Sequence, residues 1–181
     1  GAVAAVAAGP AAVAGAEELN GVASADADGY DAGMNTPAPA APRAVLADDE
    51  RLMREQLRAR LAEVWPELQI VAEARNGLEA VQLVDRHRPD IVFLDIRMPG
   101  LTGVEAARQI AQLPPREGDA PEGAAGDDDL LPEIVFITAY DEYAVEAFEQ
   151  GVADYVLKPA ERERLAVTVE RIRKRLAARA S

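Results

Sequence analysis

Three features of the sequence predict an α/β fold, a doubly wound parallel sheet of five strands with helices on both faces. Between Ala44 and about Leu176, five short apolar runs alternate with five segments whose apolar residues recur at helical spacing, the pattern of repeated strand–helix units. The strand candidates are apolar without polar alternation, Asp90-Ile91-Val92-Phe93-Leu94-Asp95 most plainly, as strands covered on both faces require. Turn and stop signals separate the segments, among them Asn76-Gly77, Met98-Pro99-Gly100 and Gly151.

Ala44-Val45-Leu46-Ala47 is the first strand and runs into Asp48-Asp49-Glu50. A first helix follows, with Leu52, Met53, Leu57, Leu61 and Val64 at helical spacing. Gln69 to Ala74 reads as the second strand. Leu78, Val81, Leu83 and Val84 then carry a second helix from Asn76-Gly77 toward Arg88-Pro89. The third strand is Asp90 to Asp95, and beyond the Met98-Pro99-Gly100 turn a third helix runs from about Thr102 to Leu113. Glu133 to Thr138 is the fourth strand. Asp141 is expected to cap a fourth helix that passes through Val145 and Phe148 and stops at Gly151. Ala153 to Lys158 is the fifth strand. After Pro159 a last helix places Leu165, Val169, Ile172 and Leu176 on one apolar face.

The flanks differ in character. Residues 1–43 are rich in Ala, Gly and Pro and hold too few large side chains to offset the entropy of ordering them, so a disordered segment is expected before a domain at 44–179. Residues 114–132 interrupt that domain with a Gly-, Pro- and Asp-rich stretch, expected to be a flexible acidic insertion. The net charge of −13 follows this division: residues 1–43 contribute five acids against one base, and residues 114–132 six acids against one base. No concentrated basic surface of the kind nucleic acid demands is evident. The basic residues of the last helix, from Arg162 to Arg179, read as a solvated polar face pairing partly with acids of a twin subunit. Asp127-Asp128-Asp129 reads as a solvated charge run and His87 as a surface residue, not a phosphodonor. Cysteine is absent, which excludes disulfides and thiolate metal sites and accords with a cytoplasmic setting. The opening Ala-rich tract lacks the bulky apolar run of a leader or a membrane span.

In an open parallel sheet, working groups gather at the carboxyl ends of the strands. Those ends carry Asp48 and Asp49 after the first strand, Asp95 after the third, Thr138 after the fourth and Lys158 after the fifth. Three acids on one rim repel each other, by about 4 kcal/mol for a pair ~4 Å apart at intermediate dielectric, so a cation is implied. The donors are oxygens only, which points to a hard ion, Mg2+ before Ca2+. A carboxylate beside such an ion and a lysine suits phosphoryl transfer to Asp95, with Thr138 able to donate a hydrogen bond to a phosphoryl oxygen.

These residues, in this order, resemble the receiver domain of two-component response regulators. The resemblance is carried by Asp48-Asp49, Leu94-Asp95-Ile96-Arg97-Met98-Pro99-Gly100, Thr138-Ala139 and Lys158-Pro159. The stretch from Thr138 to Phe148 looks most like the subclass whose output is a LytTR-type DNA-binding domain. The resemblance implies a flavodoxin-like sheet of order 2-1-3-4-5 and a role for each residue. Asp95 would be the phosphoacceptor. Asp48, Asp49, Asp95 and the backbone carbonyl of Arg97 would hold Mg2+. Lys158 would pair with the phosphoryl group, Thr138 would be the switch hydroxyl, and Tyr155 the aromatic that swings inward on activation. The Lys158-Pro159 bond would be cis. A sensor histidine kinase would be the phosphodonor, and a homodimer would form through the fourth helix, fifth strand and last helix. A transcriptional output domain is expected to lie outside this sequence.

Two other readings compete. A haloacid-dehalogenase-type Mg2+ phosphatase also uses a strand-end aspartate, but needs a second aspartate two residues on, where Arg97 stands. A degenerate receiver acting without phosphorylation would lack a member of the acid, Asp, Thr and Lys set, and none is missing. Nucleotide binding is disfavoured because Ala47-Asp48-Asp49-Glu50 stands where a Gly-rich phosphate loop would follow the first strand.

Overall fold

The computed structural model describes residues 40–115 and 131–180. Along the chain run β1 (Arg43–Ala47), α1 (Arg51–Val64), β2 (Gln69–Ala74), α2 (Gly77–His87), β3 (Ile91–Leu94) and α3 (Gly103–Ala111), followed by β4 (Glu133–Thr138), α4 (Ala144–Glu149), β5 (Asp154–Leu157) and α5 (Arg162–Ala180). The five strands form one sheet in the order β2-β1-β3-β4-β5, and every neighbouring pair is parallel. This is the expected α/β architecture and strand order.

The uninterrupted apolar strands have the predicted cause. Alternate residues of one strand point to opposite faces, and each face is covered. Val92 and Leu94 of β3 join Val45, Ala47, Phe136 and the inner sides of α2 and α3 in one core. Ile91 and Phe93 join Leu46, Val135, Ile137 and the inner sides of α1 and α5 in the other. Phe93, Phe136, Leu46 and Leu61 are among the largest fully buried side chains, each worth roughly 1.5–3 kcal/mol of burial.

Local chemistry sets the helix starts. Asn76 caps α2 by accepting from the Glu79 amide at 2.8 Å. Thr102 and Glu105 form a reciprocal capping box on α3. Asp141, by contrast, does not cap α4. That helix begins at Ala144 with Tyr143 at the cap position and no side-chain cap bond, and Asp141 offers its backbone carbonyl to the Ala144 amide instead. The chain turns once more after Asp141 before becoming helical, which leaves its carboxylate out of reach of the helix amides. β1 also begins one residue earlier than expected, because Arg43 pairs with Gln69, its amide donates to Asp90 and its guanidinium to the His87 carbonyl. His87 itself is half-buried at the amino-terminal side of β3, far from the carboxyl rim.

Five arginines of α5 have acidic partners within the chain. Arg164 and Arg171 reach Asp154 at 2.8 and 2.7 Å, Arg173 reaches Glu67 and lies over the Trp65 ring, and Arg175 and Arg179 share Glu133. The face expected to pair with a twin subunit therefore bonds largely in cis. Residues 1–39, most of the 114–132 insertion and Asp127-Asp128-Asp129 lie outside the described residues. Among the described residues, no helix is long and apolar enough to cross a membrane.

Candidate functional site

The carboxyl ends of β1, β3, β4 and β5 meet at one rim, and the side chains there are fixed by the backbone that leaves each strand. The Asp95 amide donates to the Ala47 carbonyl at 2.9 Å and the Lys158 amide to the Thr138 carbonyl at 2.8 Å, so hydrogen bonding between strands continues to the residues that bear the chemistry. Lys158 extends its Nζ between two carboxylates, 2.9 Å from Asp48 Oδ2 and 3.1 Å from Asp95 Oδ2. The second oxygen of each acid is held by backbone: Asp48 Oδ1 accepts from the Glu50 amide at 2.9 Å, and Asp95 Oδ1 from the Ile96 amide at 2.7 Å.

Asp48 and Asp95 are buried and Asp49 is exposed. One carboxylate oxygen from each lies within 4.8 Å of the others, a spacing and an all-oxygen donor set that suit a small hard cation. Burial pushes the Asp95 carboxyl above its ordinary range and the Asp48 charge adds to this, while Lys158 opposes both. Burial would lower the Lys158 ammonium, but the hydrogen bond it donates to Asp48 and the two negative charges hold it above its usual value. The lysine thus stays charged and keeps the acids together. The Lys158-Pro159 peptide is cis.

The other sequence-selected residues surround this centre. Thr138 is fully buried, and its Oγ1 accepts from the Tyr140 amide at 3.3 Å. Tyr155 is buried against Phe136, with ring centroids 6.0 Å apart, and donates its hydroxyl to the Tyr140 carbonyl. Arg97 lies two residues beyond Asp95 on the exposed β3–α3 loop. Its guanidinium sits 3.9 Å from the centre of the Tyr140 ring and faces Glu142 at 3.5 Å. The structure therefore bonds Asp48, Asp95 and Lys158 directly and puts Asp49 beside them. It links Thr138, Tyr155 and Arg97 through Tyr140 on the β4–α4 loop.

Sequence reasoning missed two residues behind the rim. Arg54 is buried and donates to the Asp48 carbonyl at 2.7 Å. Its position in the series Arg54, Leu57, Leu61, the inward stripe of α1, was the available signal. Gly103 opens α3 so close to Asp95 that a Cβ there would stand 2.0 Å from the Asp95 carbonyl oxygen. A cavity of about 280 Å3 adjoins Asp48, Asp95 and Lys158, and its remaining wall mixes apolar residues of β1, β3 and α1 with Arg54, Gln56 and Arg60 of α1.

Comparison with known proteins places this geometry. A family model described as the response regulator receiver domain matches residues 44–170. An uncharacterized response regulatory protein of Vibrio cholerae is 50% identical over 133 residues, covering 74% of this chain and 45% of that protein. The transcriptional regulatory protein BtsR of Escherichia coli is 40% identical over 131 residues, covering 72% of this chain and 48% of that protein. The chain spans about half the length of the curated relatives it matches. Among solved structures, the REC domain of AraT, a response regulator from Geobacillus stearothermophilus, superposes with a TM-score of 0.63 at 31% identity, covering 78% of this chain and 99% of that one.

Proposed function

This chain belongs to the response regulator receiver domain family of two-component systems, and from that premise we propose that it is a switch turned on by phosphorylation of Asp95. The observation that carries the proposal is the arrangement of Lys158 between Asp48 and Asp95, with Asp49 within cation-sharing distance. Asp48, Asp49, Asp95 and the backbone carbonyl of Arg97 would hold Mg2+, which when bound supplies positive charge to the phosphoryl oxygens.

In the proposed step, an Asp95 oxygen forms a bond to phosphorus as the bond to the donor nitrogen of a sensor histidine kinase breaks. The electron pair leaves with the imidazole. Lys158, kept charged by its two acids, is placed to accompany the incoming negative charge. Thr138 would give its hydroxyl to a phosphoryl oxygen, which draws in the β4–α4 loop. Tyr155 is tied to the same loop through the Tyr140 carbonyl, so a shift at Thr138 reaches the face formed by α4, β5 and α5. That face, carrying exposed Val145, Phe148 and Leu157, is the proposed homodimer contact. The reaction is confined to the chain's own Asp95, so the domain is a signalling protein and turns over no external substrate. Control of transcription, with contact to DNA, would belong to an output domain, LytTR-type by the likeness of the Thr138–Phe148 stretch.

Incubation with acetyl phosphate, with and without Mg2+, tests the assignment. Intact-mass analysis is expected to show one Mg2+-dependent phosphoryl adduct in the wild type and none in Asp95→Ala. An adduct that persists in the variant would sink the proposal.

A further inference from the structure

Of the lysines and arginines among the described residues, Arg54 alone is buried, and its bonding accounts for this. β1 ends at Ala47, whose carbonyl accepts from Asp95. The Asp48 amide still reaches the sheet, donating to the Ala74 carbonyl at 3.1 Å. The Asp48 carbonyl has no strand partner, because the chain there turns into α1. A buried carbonyl without a donor is costly, and Arg54 supplies the donor through Nη1 at 2.7 Å. Its Nε is anchored in turn on Glu73 Oε1 at 2.9 Å, and the other Glu73 oxygen takes two bonds from Arg58, at 3.0 and 2.7 Å. The guanidinium is therefore braced between β2 and the loop that carries the acids.

We propose that Arg54 is a positioning residue for the acidic pair, acting through the peptide that joins Asp48 to Asp49. The peptide unit is planar, so the oxygen Arg54 holds fixes the plane from which both carboxylates project. Asp48 is secured independently, by the Glu50 amide on Oδ1 and Lys158 on Oδ2. Asp49 is exposed and depends on that plane for its direction. This inference rests on the reading of Asp48 and Asp49 as Mg2+ ligands, and the sign of the effect separates positioning from charge. Removing a cation near three acids would by charge alone tighten Mg2+ binding. Releasing the peptide plane weakens it.

Isothermal titration with Mg2+ on the full chain decides, with folding checked by urea midpoint. Arg54→Met is expected to bind Mg2+ about tenfold more weakly, the scale seen when groups behind metal ligands are removed. Arg54→Lys should fall between it and wild type, since an ammonium can reach the carbonyl but lacks the fork that also holds Glu73. In metal-free protein, the amides of Asp49 and Glu50 should exchange hydrogen faster in both variants. Either folded variant binding Mg2+ as tightly as wild type overturns the inference. If wild-type binding is then still abolished by Asp49→Asn, the metal assignment stands without it. Wild type that fails to bind Mg2+ overturns both.

Discussion

Asp154 shows how a single carboxylate is made dependent on its surroundings. It is fully buried at the start of β5 and accepts from Arg164, Thr168, Arg171 and the Tyr155 amide. Burial alone would raise its pKa, but the bonds from Arg164 and Thr168 outweigh that and hold it below the ordinary aspartate range. A depressed folded value means that the group stabilises the fold at pH above the ordinary value, and that this stability is lost as pH falls through the depressed one. Asp154→Asn is therefore expected to cost about 2 kcal/mol near neutrality, on the scale of hydrogen bonds to a charged group. The difference from wild type should shrink as pH falls through the aspartate range, measured by urea unfolding at a series of pH values. The sequence marked Asp154 only as a strand residue. Its side-chain partners stand 10 and more positions later on α5, and arginines on a helix read as solvent-facing until the sheet beneath is known. Arg54 escaped notice for the same reason. The rim residues were easier to find, because each ends a strand whose apolar run is itself visible.

At the scale of elements, α3 is seated directly on the backbone of the site. Gly103 donates its amide to the Ile96 carbonyl at 2.7 Å and leaves no room for a Cβ against Asp95. Gly103→Ala must therefore move either the helix or the end of β3, with an expected cost of about 1–3 kcal/mol for overpacking. Because the displaced backbone is that of Asp95, acetyl phosphate labelling should slow in the same variant, even under conditions where it stays folded. The five strands were legible because strands covered on both faces show as unbroken apolar runs. Helix boundaries were less so: α4 begins three residues past Asp141, and only the path of the preceding loop decides which carboxylate can reach free helix amides. The capping box at Thr102 and Glu105 is more local, and its start fell where the sequence put it.

For the whole molecule, the distribution of charge bears on how two copies would meet. The arginines of α5 that face Asp154, Glu67 and Glu133 are engaged within the chain, whereas Val145 and Phe148 on α4 and Leu157 on β5 remain exposed. A dimer formed there on phosphorylation is expected to rest on apolar contact. Sedimentation should show it persisting between about 0.1 and about 1 M salt, where surface ion pairs are screened, and lost in Phe148→Glu. The strand order was legible through likeness to a known family, since no local pattern says which strands lie side by side. The parallel sheet also separates the two ends of the molecule. Asp48, Asp95, Thr138 and Lys158 all stand at carboxyl ends, while Leu113, Pro114, Pro115 and Leu131 lie together near the amino end of β4. A change of length between Pro115 and Leu131 would therefore enter at the margin opposite the rim and leave the spacing of those four side chains untouched.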